Sequence, residues 1–288
     1  MSTPVVAVVT VVHGRHRHLR LQERGLAAGS RRADVRCVVA MDDDEVAHQV
    51  ASDVEVIPCA RTGAALPLAR ARNLGAEYAL DRGADVLLFL DVDCVPGEFM
   101  VERYVAAHRR VDRPALLAGP VTYLPPSDGY RLDELPAATR PHPARPNPPD
   151  GSVVDGDDHD LFWSLSFATT RATWQRIGGF CEDYAGYGGE DTDFGATAAA
   201  RGVALIWVGG AHAYHQHHPV SDPPVEHLDD IVANAAVFRR RWGRWPMSGW
   251  LDEFERRGLI DRAGDHISVT VGTPLVAAVP TAKGTDLT

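Results

Sequence analysis

The chain lacks most marks of a secreted, membrane-spanning or nucleic-acid-binding protein. Its four cysteines (Cys37, Cys59, Cys94, Cys181) form no C-x-x-C pair, and they read as reduced thiols of a cytosolic protein. No stretch approaches the roughly 18 apolar residues of a membrane helix. The first apolar run, Val5–Val12, has neither the basic start nor the small-residue cleavage site of a signal peptide, so secretion is not expected. Positive charge is in deficit: 29 Lys+Arg against 39 Asp+Glu leave −10. A surface of that sign repels phosphate backbones and argues against nucleic acid as a general partner. H-E-x-x-H is absent as well, which argues against a helical zinc hydrolase.

What is present is a large, foldable chain. It has 288 residues, 45% of them apolar. A chain of this length buries roughly three quarters of its unfolded surface, so a disulfide miniprotein and a mostly disordered chain are both excluded.

Apolar runs alternate with helical spacing. Val5–Val12, Val35–Met41, Val54–Pro58 and Val86–Leu90 read as strands. A helix carries Leu19, Gln22, Gly25 and Leu26 on neighbouring turns, and another carries Leu68, Ala71, Leu74, Gly75, Tyr78 and Ala79 and closes near Gly83. That alternation predicts an α/β fold with a mostly parallel, Rossmann-like sheet flanked by helices, whose ligands bind beyond the carboxyl ends of the strands. Three strand ends carry polar residues: His13-Gly14-Arg15, Asp42–Asp44 and Asp91-Val92-Asp93.

Between Pro125 and Pro149 lie eight of the 20 prolines. Proline fixes φ and removes a donor, so no central strand is expected there. The segment reads as a long, partly mobile surface excursion, either a lid or a disordered insertion. Further on, Leu165–Thr170 and Val203–Val208 read as strands and Ala196–Ala200 as a helix. Leu228, Ile231, Val232, Ala235, Phe238 and Trp242 mark a C-terminal helix, followed by a shorter one carrying Trp250, Leu251 and Phe254. The tail beyond Asp265 gives no pattern.

Three clusters carry chemistry. Asp91 and Asp93 place two carboxylates at i and i+2, on one side of extended backbone. Such like charges repel unless a cation joins them, and hard oxygen ligands suit Mg²⁺ or Mn²⁺. The alternative is a strand-to-turn junction in which Asp caps the turn. Gly186-Tyr187-Gly188-Gly189-Glu190-Asp191-Thr192-Asp193 crowds three acids into four positions, which raises the proton affinity of at least one and suits a general base. The same acids also suit a helix N-terminus. In Ala211–Pro219 four histidines fall within seven residues. On extended backbone His215 and His217 share one face, and His212 and His218 the other. His215 with Asp93 would form a mixed N/O site favouring Mn²⁺. Arg70 and Arg72 stand before the D-x-D strand, where an Arg either reaches a phosphate or lies on a solvated helix face.

These motifs, in this order, resemble a GT-A fold glycosyltransferase of the family 2 type, similar to the catalytic domain of the β-1,4-galactosyltransferases. The matching pieces are VVTVVHGRHRHL (8–19), ARARN (69–73), FLDVDC (89–94), GGFCEDYAGYGGEDTDF (178–194) and YHQHHP (214–219). The resemblance implies a metal-dependent, inverting transfer of a galactose-like hexose from a UDP-sugar to a carbohydrate or other hydroxyl acceptor, with Mn²⁺ or Mg²⁺ as cofactor. It implies Asp93 and His215 as metal ligands, Asp191 as base and Glu190 on the acceptor hydroxyls. The donor would lie against Val11, His13, Arg15, Asp42, Asp43, Arg72, Asp91 and Gly189. Residues 1–118 would form the nucleotide-sugar-binding half, 119–220 the acceptor and catalytic half with the Pro-rich loop 123–160, and 221–288 the C-terminal helices and tail. Two positions depart from the family. Tyr187 stands where the galactosyltransferases place Trp, and His212 where they place Met, which makes His212, like His217, a candidate further ligand. The rival readings are a sugar-1-phosphate nucleotidyltransferase, which would need a basic Gly-rich loop with Lys near the first strand, and a non-catalytic nucleotide-sugar or carbohydrate-binding module.

Overall fold

The computed structural model describes residues 3–61 and 63–270. In chain order the first half contains β1 (Val6–Val12), α1 (His16–Ala28), β2 (Val35–Met41), β3 (Glu55–Cys59), α2 (Leu68–Asp81), β4 (Val86–Leu90), β5 (Cys94–Pro96), α3 (Met100–Arg110), β6 (Ala115–Ala118) and β7 (Val121–Tyr123). The second half contains β8 (Val153–Gly156), β9 (Ser166–Thr170), α4 (Arg171–Ile177), α5 (Glu190–Ala200), β10 (Ala204–Val208), β11 (Ala213–His215), α6 (Leu228–Trp242), α7 (Ser248–Arg256) and the hairpin β12 (Ile260–Ala263) and β13 (His266–Val269).

The large sheet has the order β3-β2-β1-β4-β9-β6-β10-β8. β3, β2, β1 and β4 run parallel, β6 and β10 pair in parallel, and β9 and β8 run antiparallel to their neighbours. The expected mostly parallel α/β sheet is therefore present. Continuous apolar runs form these strands because both faces are covered. On one side Ala7, Val9, Leu87 and Phe89 pack with Ala69, Ala76 and Ala79 of α2; on the other Val6, Val8 and Leu88 meet Met100, Val101, Tyr104 and Val105 of α3. Successive residues thus feed opposite layers, as the pleat requires. α2 lies so close that a Cβ on Gly75 would stand 2.3 Å from Val9 Cγ1. Burying each large apolar side chain contributes about 1.5–3 kcal/mol, so this two-layer core dominates the stability.

A second sheet, β5-β11-β7, lies past the carboxyl end of β4. Its register sets His215 opposite Cys94 on one side and opposite Tyr123 on the other. The Pro-rich excursion carries no long element but is anchored, with Leu135, Arg145 and Pro148 buried and Thr139 Oγ1 2.8 Å from Tyr214 Oη. It returns as β8, an edge strand, where proline-rich neighbours do least harm to a ladder. At the C-terminus α6, α7 and the β12–β13 hairpin share a small core around Ile231, Leu251, Phe254 and Ile260. Among the described residues no helix is long and apolar enough to cross a membrane. Most of the tail beyond Asp265 lies outside the described residues.

Candidate active site

The D-x-D acids do not sit on extended backbone. β4 ends at Leu90, and Asp91-Val92-Asp93 forms the turn into β5. Gln22 of α1 pins that turn: its Nε2 donates to the carbonyls of Asp91 (2.6 Å) and Cys94 (3.0 Å), while its Oε1 accepts from Thr10 Oγ1 at 2.9 Å. The turn sends the two carboxylates to different partners, so the expectation of a side-by-side pair is corrected here.

Asp93, 9% exposed, meets the histidine strand. The Gln216 N–H donates to the Asp93 carbonyl at 2.7 Å, extending the β5–β11 pairing by one step. The Asp93 carboxylate then lies 3.5 Å from His215 Nε2 and 3.5 Å from His218 Nε2. The donor atoms of Asp93, His215 and His218 all fall within 4.8 Å of one another. Asp93 Oδ1 is buried without a hydrogen-bond partner, which fits a cation-binding role. Desolvation works against the Asp93 charge, but His215, His218 and Arg15 outweigh it and hold the carboxyl far below its usual range. Burial lowers the His215 pKa and outweighs the opposing pull of the Asp93 carboxylate; a bound metal would require the neutral imidazole. A mixed carboxylate–imidazole set suits Mn²⁺ better than Mg²⁺.

The triad corrects the histidine expectation. The strand stops at His215, so the alternation that would put His217 beside it is broken. The chain turns, His218 returns to Asp93, and His217 is exposed. His212 lies three residues before His215 and faces away. Its Nε2 is 2.8 Å from Thr122 Oγ1, and burial pushes its pKa down to about 4. Neither His212 nor His217 joins the site in this structure.

Asp91 points toward α2 and α5. Arg72, 4% exposed, donates to Asp91 Oδ1 at 3.0 Å and to Glu190 Oε1 at 3.1 Å, and its guanidinium lies 5.2 Å from the Phe180 ring centroid. A residue expected either near the donor or on a solvated helix face is thus a buried bridge between the two acidic motifs. The phenylalanine of G-G-F supports it from below, stacked on Phe194 at 4.1 Å.

Gly189 starts α5 with φ +91°, a conformation that favours glycine, and Glu190 in the first turn of α5 meets Arg72. Burial and the neighbouring Asp191 raise Glu190 to about 7 despite Arg72. Its Oε2 is buried without a hydrogen-bond partner. Burial raises the Asp191 pKa too, while Arg72 and the backbone N–H groups of Thr192 and Ser164 oppose the rise. Asp193 faces away from the cleft and clamps the end of α6 to α5. Its Oδ1 accepts from Tyr184 Oη (3.1 Å), Arg241 Nε (2.8 Å) and Trp242 Nε1 (2.7 Å).

The tips of β1 and β2 are joined to each other. His13 Nδ1 lies 2.7 Å from the Met41 carbonyl. Asp43 accepts from the Gly14 N–H at 2.7 Å and stands 2.9 Å from His16 Nε2. Desolvation raises the Asp43 pKa, but those bonds bring it below its usual value. Asp42 instead pairs with Arg61 at 3.0 Å. Val11 is buried in β1 just before the tip. Arg15 starts α1 and reaches Asp93 Oδ2 at 3.3 Å with a half-exposed side chain. Sequence reasoning missed His218 as a triad member, Gln22 as the pin of the turn and Tyr123 beside His215. Gln22 was visible as the one polar residue in an apolar helical stripe.

Residues 158–219 match the family described as the N-terminal domain of galactosyltransferase; that segment holds Glu190, Asp191, His215 and His218, while Asp93 lies outside it. Over 156 residues, 48% of this chain, the sequence is 28% identical to validoxylamine A glucosyltransferase of Streptomyces hygroscopicus subsp. jinggangensis, 36% of which is covered. It is 27% identical over 184 residues to chondroitin synthase of Pasteurella multocida, covering 53% of this chain and 18% of that one. The chain therefore spans a minor part of the curated relatives it matches. Its fold aligns with a crystal structure of GalNAc-T7 with UDP, GalNAc and Mn²⁺ at a TM-score of 0.54 and 15% identity, over 88% of this chain and 57% of the other. The chain thus has the GT-A fold of glycosyltransferases, and its C-terminal half resembles the galactosyltransferase domain in the segment that carries the paired acids and the histidines.

Proposed function

We propose that this protein is a metal-dependent inverting glycosyltransferase, moving a galactose-like hexose from a UDP-sugar to an acceptor hydroxyl. The observation that carries the reading is the convergence of three distant segments. Asp93 meets His215 and His218, and Arg72 links the neighbouring Asp91 to Glu190 beside Asp191. Mn²⁺ in the GalNAc-T7 structure supports the choice of metal.

Asp93, His215 and His218 would hold the cation. When bound, it neutralises charge on the departing diphosphate as a Lewis acid. Arg15, poised on Asp93, is free to turn its guanidinium to the same diphosphate. The linked tips of β1 and β2, with Val11, His13, Asp42 and Asp43, cradle the nucleoside, so residues 1–118 chiefly serve the nucleotide and 119–220 the catalysis and the acceptor. Asp191 takes the proton from the acceptor hydroxyl as its oxygen attacks the anomeric carbon from the opposite face. The free Oε2 of Glu190 accepts a hydrogen bond from a neighbouring sugar hydroxyl, and Arg72 keeps Glu190 and Asp91 in place. The four cysteines are free thiols, in keeping with a cytoplasmic site of action.

Asp191→Asn tests the reading. Transfer should fall about 10²–10⁴-fold while UDP-sugar binding in Mn²⁺ is kept. Near-normal turnover in that variant would overturn the assignment of the base.

A further inference from the structure

Aromatic rings lead away from the metal triad in an unbroken series. Tyr123, 46% exposed, stacks on His215 with centroids 4.6 Å apart. His142 meets Tyr123 edge-on at 5.6 Å and Trp163 at 5.0 Å. Behind Trp163 lies Arg145, 5% exposed. Its guanidinium stands 5.1 Å from the Trp163 ring and 4.8 Å from that of Trp207, which lies in the large sheet. None of its three guanidinium nitrogens has a hydrogen-bond partner. A charge buried in this way costs stability, and the contacts it does make are to the two indoles. Arg145 packs against Trp163, and Trp163 adjoins buried Ser164, whose backbone N–H faces Asp191.

We propose that Tyr123, His142 and Trp163 form the wall against which the ring of the transferred sugar stacks, an inference that rests on the transferase reading above. The wall begins on His215 and ends at Trp163, next to Ser164, which faces Asp191. The transferred sugar must span that same interval, between the diphosphate and the acceptor oxygen. A pyranose offers an apolar C–H face to aromatic planes and hydroxyls at its rim. The nucleobase is assigned elsewhere. The β1 tip reaches Asp93 Oδ2 through Arg15, whereas Tyr123 is reached from Asp93 Oδ1 through His215, so nucleoside and wall meet that carboxylate through different residues.

The test compares the affinity of the whole protein for UDP and for UDP-galactose in Mn²⁺, by calorimetry, for wild type, Tyr123→Ala and Tyr123→Phe. The exposed ring makes Tyr123→Ala compatible with folding, and Mn²⁺ affinity is measured alongside. Tyr123→Ala should weaken UDP-galactose about threefold to tenfold while leaving UDP and Mn²⁺ affinity unchanged, and Tyr123→Phe should restore wild-type values. An unchanged ratio of the two affinities overturns the wall. Equal weakening of UDP and UDP-galactose also overturns it, because Tyr123 would then act through His215. A rise only in the KM for acceptor overturns it in favour of an acceptor subsite. A wild-type protein that binds neither ligand refutes the transferase reading itself, and the wall with it.

Discussion

Replacing Arg72 by Met removes the cation that joins buried Glu190 to half-buried Asp91 while keeping a long apolar side chain beside Phe180. Arg72 makes two charge-assisted hydrogen bonds, at 3.0 and 3.1 Å. Breaking a buried pair by removing one partner costs about 3–5 kcal/mol. At about 2–4 °C per kcal/mol for a chain of this size, the melting temperature should fall by about 10 °C. The deficit should depend on pH. The folded pKa of Glu190 is raised from 4.5 to about 7, so between those values the native state holds a proton that the unfolded state has released. Wild-type stability from this group therefore declines as pH rises through that window. Without Arg72 the carboxyl is pushed higher still, and the decline extends to more alkaline pH. Urea unfolding followed by tryptophan fluorescence should show a small deficit at pH 5 and the full one at pH 8. An equal deficit at both, or less than about 1 kcal/mol at pH 8, would refute the bridge as the element that joins the two motifs.

Other consequences follow from the same geometry. His218→Ala should weaken Mn²⁺ binding at least about tenfold, whereas His212→Ala should leave it unchanged; equal losses in a metal titration would contradict the triad. Asp193→Ala strips three donors of their acceptor and should cost about 2–4 kcal/mol in chemical unfolding. If stability is unaffected, the docking of α6 does not depend on this clamp.

The fold was legible wherever burial wrote itself into the sequence. β2 and β4 match their apolar runs residue for residue, and β1, β9 and β10 differ by one residue at the start. α6 follows its stripe from Leu228 to Trp242. The three-residue strands β5, β7 and β11 left no periodicity to read, yet they bring Asp93 together with His215 and His218. α4, at seven residues, is too short for a period, and of the β12–β13 hairpin the second strand lies in the unpatterned tail. α3 did carry a readable stripe at Met100, Val101, Tyr104 and Val105. In the site, residue types were informative and directions were not. Asp93, His215, Glu190 and Asp191 were identifiable by kind and spacing. His218 was not, because its position depends on where the strand ends. Arg72 read as either a phosphate ligand or a solvated helix residue because nothing local to its helix reveals Glu190, 118 residues away, or that the turn after β4 would bring Asp91 back to it.

The sharpest check on the convergence at Asp93 is a titration of UDP into the protein with Mn²⁺ and with EDTA, for wild type and Asp93→Ala. Tight binding is expected only for wild type with Mn²⁺, with both the chelator and the substitution removing it. Equal UDP affinity under all four conditions would show that no cation is held between Asp93, His215 and His218 for a nucleotide to meet.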